Sequence, residues 1–104
     1  MKIAIPTNDR ETITPRTGRC KEFAVVEIEG DEVRYSYVPN HHEHHDGEEE
    51  HEHSHRDQVE AIKDVDVLMV KNVGKHLKKD LEAMQIPFRK THFETIADIV
   101  NEVK

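Results

Sequence analysis

Apolar residues fall along this chain in short blocks separated by proline, glycine and charge, and the spacing within a block alternates between strand-like and helix-like. Ile3-Ala4-Ile5 opens the chain as a strand that Pro6-Thr7-Asn8 stops. A polar stretch with Pro15 and Gly18 leads to a second run, Phe23 to Ile28, and Gly30-Asp31 then turns the chain. Val33-Arg34-Tyr35-Ser36-Tyr37-Val38 alternates with period two, so Val33, Tyr35 and Tyr37 share one face of a half-exposed strand, and the two runs predict a hairpin. Ser54 with Asp57 predicts a helix start, with Val59 and Ile62 as its apolar stripe. Val65 to Val70, interrupted only by Asp66, reads as a strand buried on both faces. Leu77, Leu81 and Met84 return to helix spacing, and Pro87-Phe88 mark a short strand leading to Thr91. Thr91-His92-Phe93-Glu94 has the form of a capping box ahead of a last helix striped by Ile96, Ile99, Val100 and Val103.

The predicted order is thus a strand, a hairpin, then helix, strand, helix, strand, helix, an α/β arrangement. Right-handed crossovers make the strands beginning at Ile3, Val65 and Ile86 parallel. With the hairpin's first strand antiparallel beside the N-terminal one, residues 6–22, 39–55, 71–76 and 90–93 gather at one sheet edge. Cys20 and all nine histidines lie in those connections. Open α/β sheets hold ligands at the carboxyl ends of their strands, where crossovers diverge, which here falls between the strands ending at Ile5 and Val70.

Composition sharpens this picture in one place. Over 104 residues the formal charge is -7, but residues 41–57 hold seven of the nine histidines, seven acids, one arginine and no apolar side chain, a net -6. The other 87 residues carry 14 basic and 15 acidic groups, an ordinary balance for one domain. The expected organisation is a single domain, 1–104, with a mobile histidine- and acid-rich loop at 41–55, since such a segment cannot bury enough surface to offset its ordering. One cysteine precludes an intrachain disulfide, and no apolar run approaches the ~18 residues of a membrane span, so a cytoplasmic protein is expected. The acidic balance argues against nucleic acid.

Several chemistries drop out. The glycines are too dispersed for a dinucleotide or Walker fingerprint, and neither Ser36 nor Ser54 lies in a nucleophile elbow. The first strand has no carboxylates to clamp catalytic cations, and Cys20 has no local histidine base; His76 or His92 would have to reach it through folding. Metal binding is the strongest residue-level signal. His41, His42, His44, His45, His51, His53 and His55 place several imidazoles within reach of one ion, suiting zinc, nickel or copper, at spacings that match no closed structural zinc site. Neighbouring acids should raise their basicity and make capture pH-sensitive. The same composition also fits a merely solvated loop. Cys20 is flanked by Arg19 and Lys21, whose charges would favour a thiolate ligand. Gly74-Lys75 opens a predicted helix whose free N–H groups suit an anion, and Arg16, Arg19 and Lys75 add positive charge at that edge.

The opening MKIAIPT, Gly18-Arg19-Cys20 followed by Phe23, Val38-Pro39-Asn40 before a histidine-bearing loop, and DVLMVKNVGKHLKKDLEAMQIPF together resemble the dinitrogenase iron-molybdenum cofactor biosynthesis domain family. The resemblance covers nearly the whole chain outside 41–55. It implies a three-layer α/β/α ribonuclease H-like fold with a mixed five-stranded sheet, strand order 3-2-1-4-5, strand 2 antiparallel. It also implies non-catalytic binding or carrying of a molybdenum/iron-sulfur-type cluster. Where that family commonly has His-Phe-Gly in its first long loop, this chain has Arg16-Thr17-Gly18. The expected protein is a non-enzymatic cluster carrier whose crevice is framed by Arg19, Cys20, Asn72 and Gly74, working with a cluster-assembly or acceptor protein as a monomer or weak dimer. A divalent-metal buffer or metallochaperone acting through the histidines is the alternative.

Overall fold

Ile3, Ala4 and Ile5 form the middle of the sheet, and their alternation divides the interior into two layers. Ile3 and Ile5 pack on one face with Ala24, Val26, Met69, Ile96, Ile99 and Val100, while Ala4 packs on the other with Phe23, Val25, Leu68, Val70, Leu77 and Leu81. The computed structural model describes residues 1–40 and 62–104. Among these, β1 (Lys2–Thr7), β2 (Glu22–Glu29), β3 (Glu32–Pro39), β4 (Val67–Val70) and β5 (Phe88–Lys90) form one sheet in the order β3-β2-β1-β4-β5. β2 is antiparallel to both β1 and β3, and β1, β4 and β5 are parallel, as expected. Helix α1 (Lys75–Ala83) covers the face of Ala4 through Leu77 and Leu81, and α2 (Ile96–Val103) covers the face of Ile3 and Ile5. Each buried Leu or Ile contributes roughly 1.5–3 kcal/mol.

The structure corrects the sequence reading at three points. β1 runs through Pro6 instead of stopping before it. Lys2 accepts a bond from the Asp66 N–H on the β4 side, so alternate residues, Ala4 and Pro6, also face β4. The β1–β4 pairing ends at Ala4 and Leu68, so the donor that Pro6 lacks is not called for. β4 starts at Val67, because Val65 is buried in a turn that its own N–H closes on Ile62. Glu94 accepts from Ile13 N–H and Thr91 donates to Val70, which holds 91–94 extended, so Thr95 caps α2 instead, its hydroxyl accepting from Asp98 N–H at 3.1 Å. On the half-exposed strand that carries Val33, Tyr35 and Tyr37, Tyr35 is 47% exposed. It lies on an edge strand whose two same-face neighbours reach the core.

The loop expected over 41–55, with its seven histidines, and most of the helix expected after Ser54 lie outside the described residues. Ile62, at the end of that stretch, is buried against Leu68 and Leu81.

Candidate functional site

The carboxyl edge, where β1, β4 and β5 end, is crossed by the connection from β1 to β2, residues 8–21. Its first half is shaped by two short side chains. Asp9 accepts from the N–H groups of Glu11 and Thr12 at 2.9 and 2.8 Å, and these bonds hold its carboxyl down to about 2. Thr7, fully buried, accepts from Arg10 N–H at 2.9 Å and donates to the Thr12 carbonyl at 2.7 Å. The tight reversal puts Arg10 at a φ of 66°. Its guanidinium forks onto Glu22 with two bonds of 2.8 Å and lies 4.3 Å over the Tyr37 ring, tying the loop to the root of the hairpin.

The loop then passes from one face of the sheet to the other over the end of β1. Ile13 packs with the α2 layer and donates to the Glu94 carbonyl, Thr14 N–H bonds Pro6, and Cys20 packs with the α1 layer. Beyond Ala4 and Leu68, β1 and β4 are no longer paired, and this strap occupies the divergence that topology marks as a crevice. At its far side a 3-10 turn, Thr17–Arg19, is anchored by the buried Thr17 hydroxyl, which donates to the Asn72 carbonyl at 3.0 Å. Arg16 and Arg19, on either side of that anchor, are exposed.

Asn72 and Gly74 belong to the turn between β4 and α1. Gly74 is the N-cap of α1 and has no side chain of its own to cap the first turn, and Lys75 follows it exposed. The Thr17–Asn72 bond therefore ties the 16–19 segment to the β4–α1 turn, and the two form a rim of the carboxyl edge. Lys71 is committed elsewhere, to Glu94 at 2.6 Å.

Cys20 belongs to the same loop but differs from the sequence expectation. It is fully buried, and burial pushes its thiol up to about 12. Arg19 and Lys21 are exposed and do not offset that desolvation, so at neutral pH Cys20 is a protonated core residue and not a ready thiolate. Asn40 holds it in place, donating to the Cys20 carbonyl at 2.8 Å and to Sγ at 3.5 Å. Asn40 Oδ1 is buried with no hydrogen-bond partner among the described residues. Spacing gave no hint of Thr7, Thr17 or Asn40; only a buried polar side chain reveals that it holds a loop.

Of the histidines, His76 lies exposed in the first turn of α1, and His92 stacks on Phe93 with ring centroids 4.5 Å apart. His41, His42, His44, His45, His51, His53 and His55 lie outside the described residues. Among the described residues, no three His, Cys, Asp or Glu side chains come together as a metal site, and no helix is long and apolar enough to cross a membrane. What the rim offers is exposed cationic charge beside a helix start, an arrangement suited to an anion.

The family model described as dinitrogenase iron-molybdenum cofactor matches residues 1–104. Among solved structures, the apo form of the orange protein from Desulfovibrio gigas is similar, with a TM-score of 0.74 and 20% identity over 98% of this chain and 85% of that one. A Methanocaldococcus jannaschii protein named for dinitrogenase gives 0.69 and 19% over 99% and 86%. A Thermotoga protein named for NifB gives 0.63 and 19% over 98% and 85%. At these identities the likeness is one of fold. No curated protein sequence matches the chain.

Proposed function

From the premise that this chain belongs to the dinitrogenase iron-molybdenum cofactor family, we propose that it is a non-enzymatic carrier that seats an anionic metal-sulfur cluster on the carboxyl-edge rim. The observation that carries this reading is the Thr17–Asn72 bond, which ties the segment of the exposed Arg16 and Arg19 to the turn that leads into α1. The apo orange protein, which shares the fold, is in keeping with it. Arg19, Asn72 and Gly74 frame the seat, and Arg16 and Lys75 add charge. Cys20 lies under the loop as a packed, protonated thiol, so the cluster is held by charge and backbone donors, and the protein hands it to an acceptor without breaking a covalent bond to it.

The test is anaerobic reconstitution with iron, molybdate and sulfide. The expected product is coloured. Charge reversal in Arg16→Glu/Arg19→Glu should weaken retention roughly tenfold, and raising salt from about 0.01 to about 0.15 M, which shortens the screening length from about 30 to about 8 Å, should weaken it too. Cys20→Ala should keep its colour. A colourless product throughout, or colour lost only in Cys20→Ala, sinks the charge-held seat.

The second reading, a divalent-metal buffer, is supported by the seven histidines of residues 41–57 and uses no part of this rim.

A further inference from the structure

The two edges of the sheet are unequal. β5 is three residues long and carries exposed Arg89 and Lys90, the usual way of discouraging strand addition. β3 is eight residues long and pairs with β2 in an unbroken register from Glu22–Pro39 to Glu29–Glu32, with no bulge and its only proline at the end.

Backbone parity shows what β3 offers outward. Met1 and Ile28 exchange backbone bonds of 2.8 and 2.7 Å, so Ile28 and alternate residues Val26 and Ala24 face β1. Phe23, Val25, Glu27 and Glu29 then face β3, where their partners are Val38, Ser36, Arg34 and Glu32; the bond from Asn40 N–H to Lys21 continues the series. Val33, Tyr35 and Tyr37 are left with N–H and C=O pointing away from the sheet. Their side chains also share a face, and Tyr35, with Met1, is one of the two large apolar side chains exposed among the described residues.

We propose that β3 is a self-association edge, which pairs antiparallel with β3 of a second copy about a two-fold axis through Tyr35. That register sets Tyr35 beside Tyr35 of the second copy and Val33 beside its Tyr37, each a hydrogen-bonded pair, with about six backbone bonds across the seam. It leaves Pro39, which has no N–H, outside the ladder. Arg34 falls on the opposite face beside Ser36 of the second copy, its charge already met by Glu27 and Glu32 at 3.8 and 3.6 Å. The occupant is a second copy because the strand is complementary to itself: Val33 and the tyrosines meet their like on one face, where the Arg10 guanidinium over Tyr37 is already paired with Glu22, and no unneutralised charge faces its like on the other. A seam this narrow falls below the interface area of a stable dimer, so the association is weak and concentration-dependent.

Sedimentation of the full chain in EDTA, which prevents metal bridging through histidines, should show a monomer–dimer equilibrium. Tyr35→Lys sets two ammonium groups at the axis and should weaken it roughly tenfold, with an unchanged circular dichroism spectrum. In Tyr35→Cys, paired Cα atoms about 5.5 Å apart suit a disulfide, so mild oxidation should give a covalent dimer that the parent, with only buried Cys20, does not form. A monomer at every concentration, a dimer that Tyr35→Lys leaves intact, or crosslinking through Ser36→Cys in place of Tyr35→Cys overturns the proposal. None of these readouts depends on cluster binding.

Discussion

Cys20 shows how burial outweighs sequence neighbours. Arg19 and Lys21 stand on either side of it, yet both are exposed and well hydrated, whereas Sγ is removed from water altogether; the thiol rises to about 12 instead of falling. Asp9 is the opposite case, an exposed carboxylate held down to about 2 by two backbone donors within its own turn. An unfolded aspartate titrates near 3.9, so the contribution of Asp9 to stability is fully present above about pH 4 and is lost as pH falls through about 2. A carbon-detected acid titration should place the Asp9 midpoint near the lower value, and Asp9→Ala should melt a few degrees below the parent, with Asp9→Asn between them. A midpoint at the ordinary aspartate value would show that the turn does not hold the carboxylate. Sequence made Cys20 conspicuous by its rarity and left Asp9 unremarked, although the donors that hold Asp9 lie only two and three residues further on.

Among the elements, those with a clear pattern were legible: the apolar runs 3–5 and 23–28 form strands β1 and β2, and the stripes of Leu77 and Leu81 in α1 and of Ile96, Ile99 and Val100 in α2 pack against the sheet. The boundaries were less so. Thr91 and Thr95 are each followed three residues on by an acid, so composition favours neither as a cap; the bond from Ile13 to Glu94, across more than eighty residues of chain, decides for Thr95. Thr95→Ala should therefore cost about 1 kcal/mol in thermal or urea unfolding, Thr95→Ser should recover most of it, and Thr91→Ala should leave α2 capping untouched. Equal losses at both positions would mean that the cap is not where the structure places it. Pro6 follows the same logic. Proline stops a strand only if its missing donor is needed, and β1 has by then parted from β4.

At the scale of the whole molecule, the described residues mix their charges: Lys2 and Arg34 pair with acids at the edge where β1 and β4 begin, and Arg10 and Lys71 pair with Glu22 and Glu94 toward the carboxyl edge, where Arg16, Arg19 and Lys75 are also exposed. The -7 of the chain resides mostly in residues 41–57 and not in this domain. If the histidines there serve a divalent metal, replacing all seven by glutamine, which preserves chain length, should lower nickel or zinc affinity at least roughly tenfold in calorimetry while the colour of reconstituted protein is retained. Unchanged affinity removes that reading and leaves the cluster seat as it stands.

Hydrophobic spacing by itself determined the order of strands and helices, and with the right-handed crossover rule the parallel strands and the edge at which loops collect; the three layers and the strand order were what the family resemblance implied. Sequence also isolated the histidine segment, which is a matter of composition. Tertiary structure alone decided that the 8–21 loop straps the divergence of β1 and β4, that Thr17 ties the segment carrying two arginines to the turn before α1, and that Cys20, next to Arg19, is buried in the core. Those outcomes depend on which groups lose water, and desolvation is set by contacts between residues far apart in the chain.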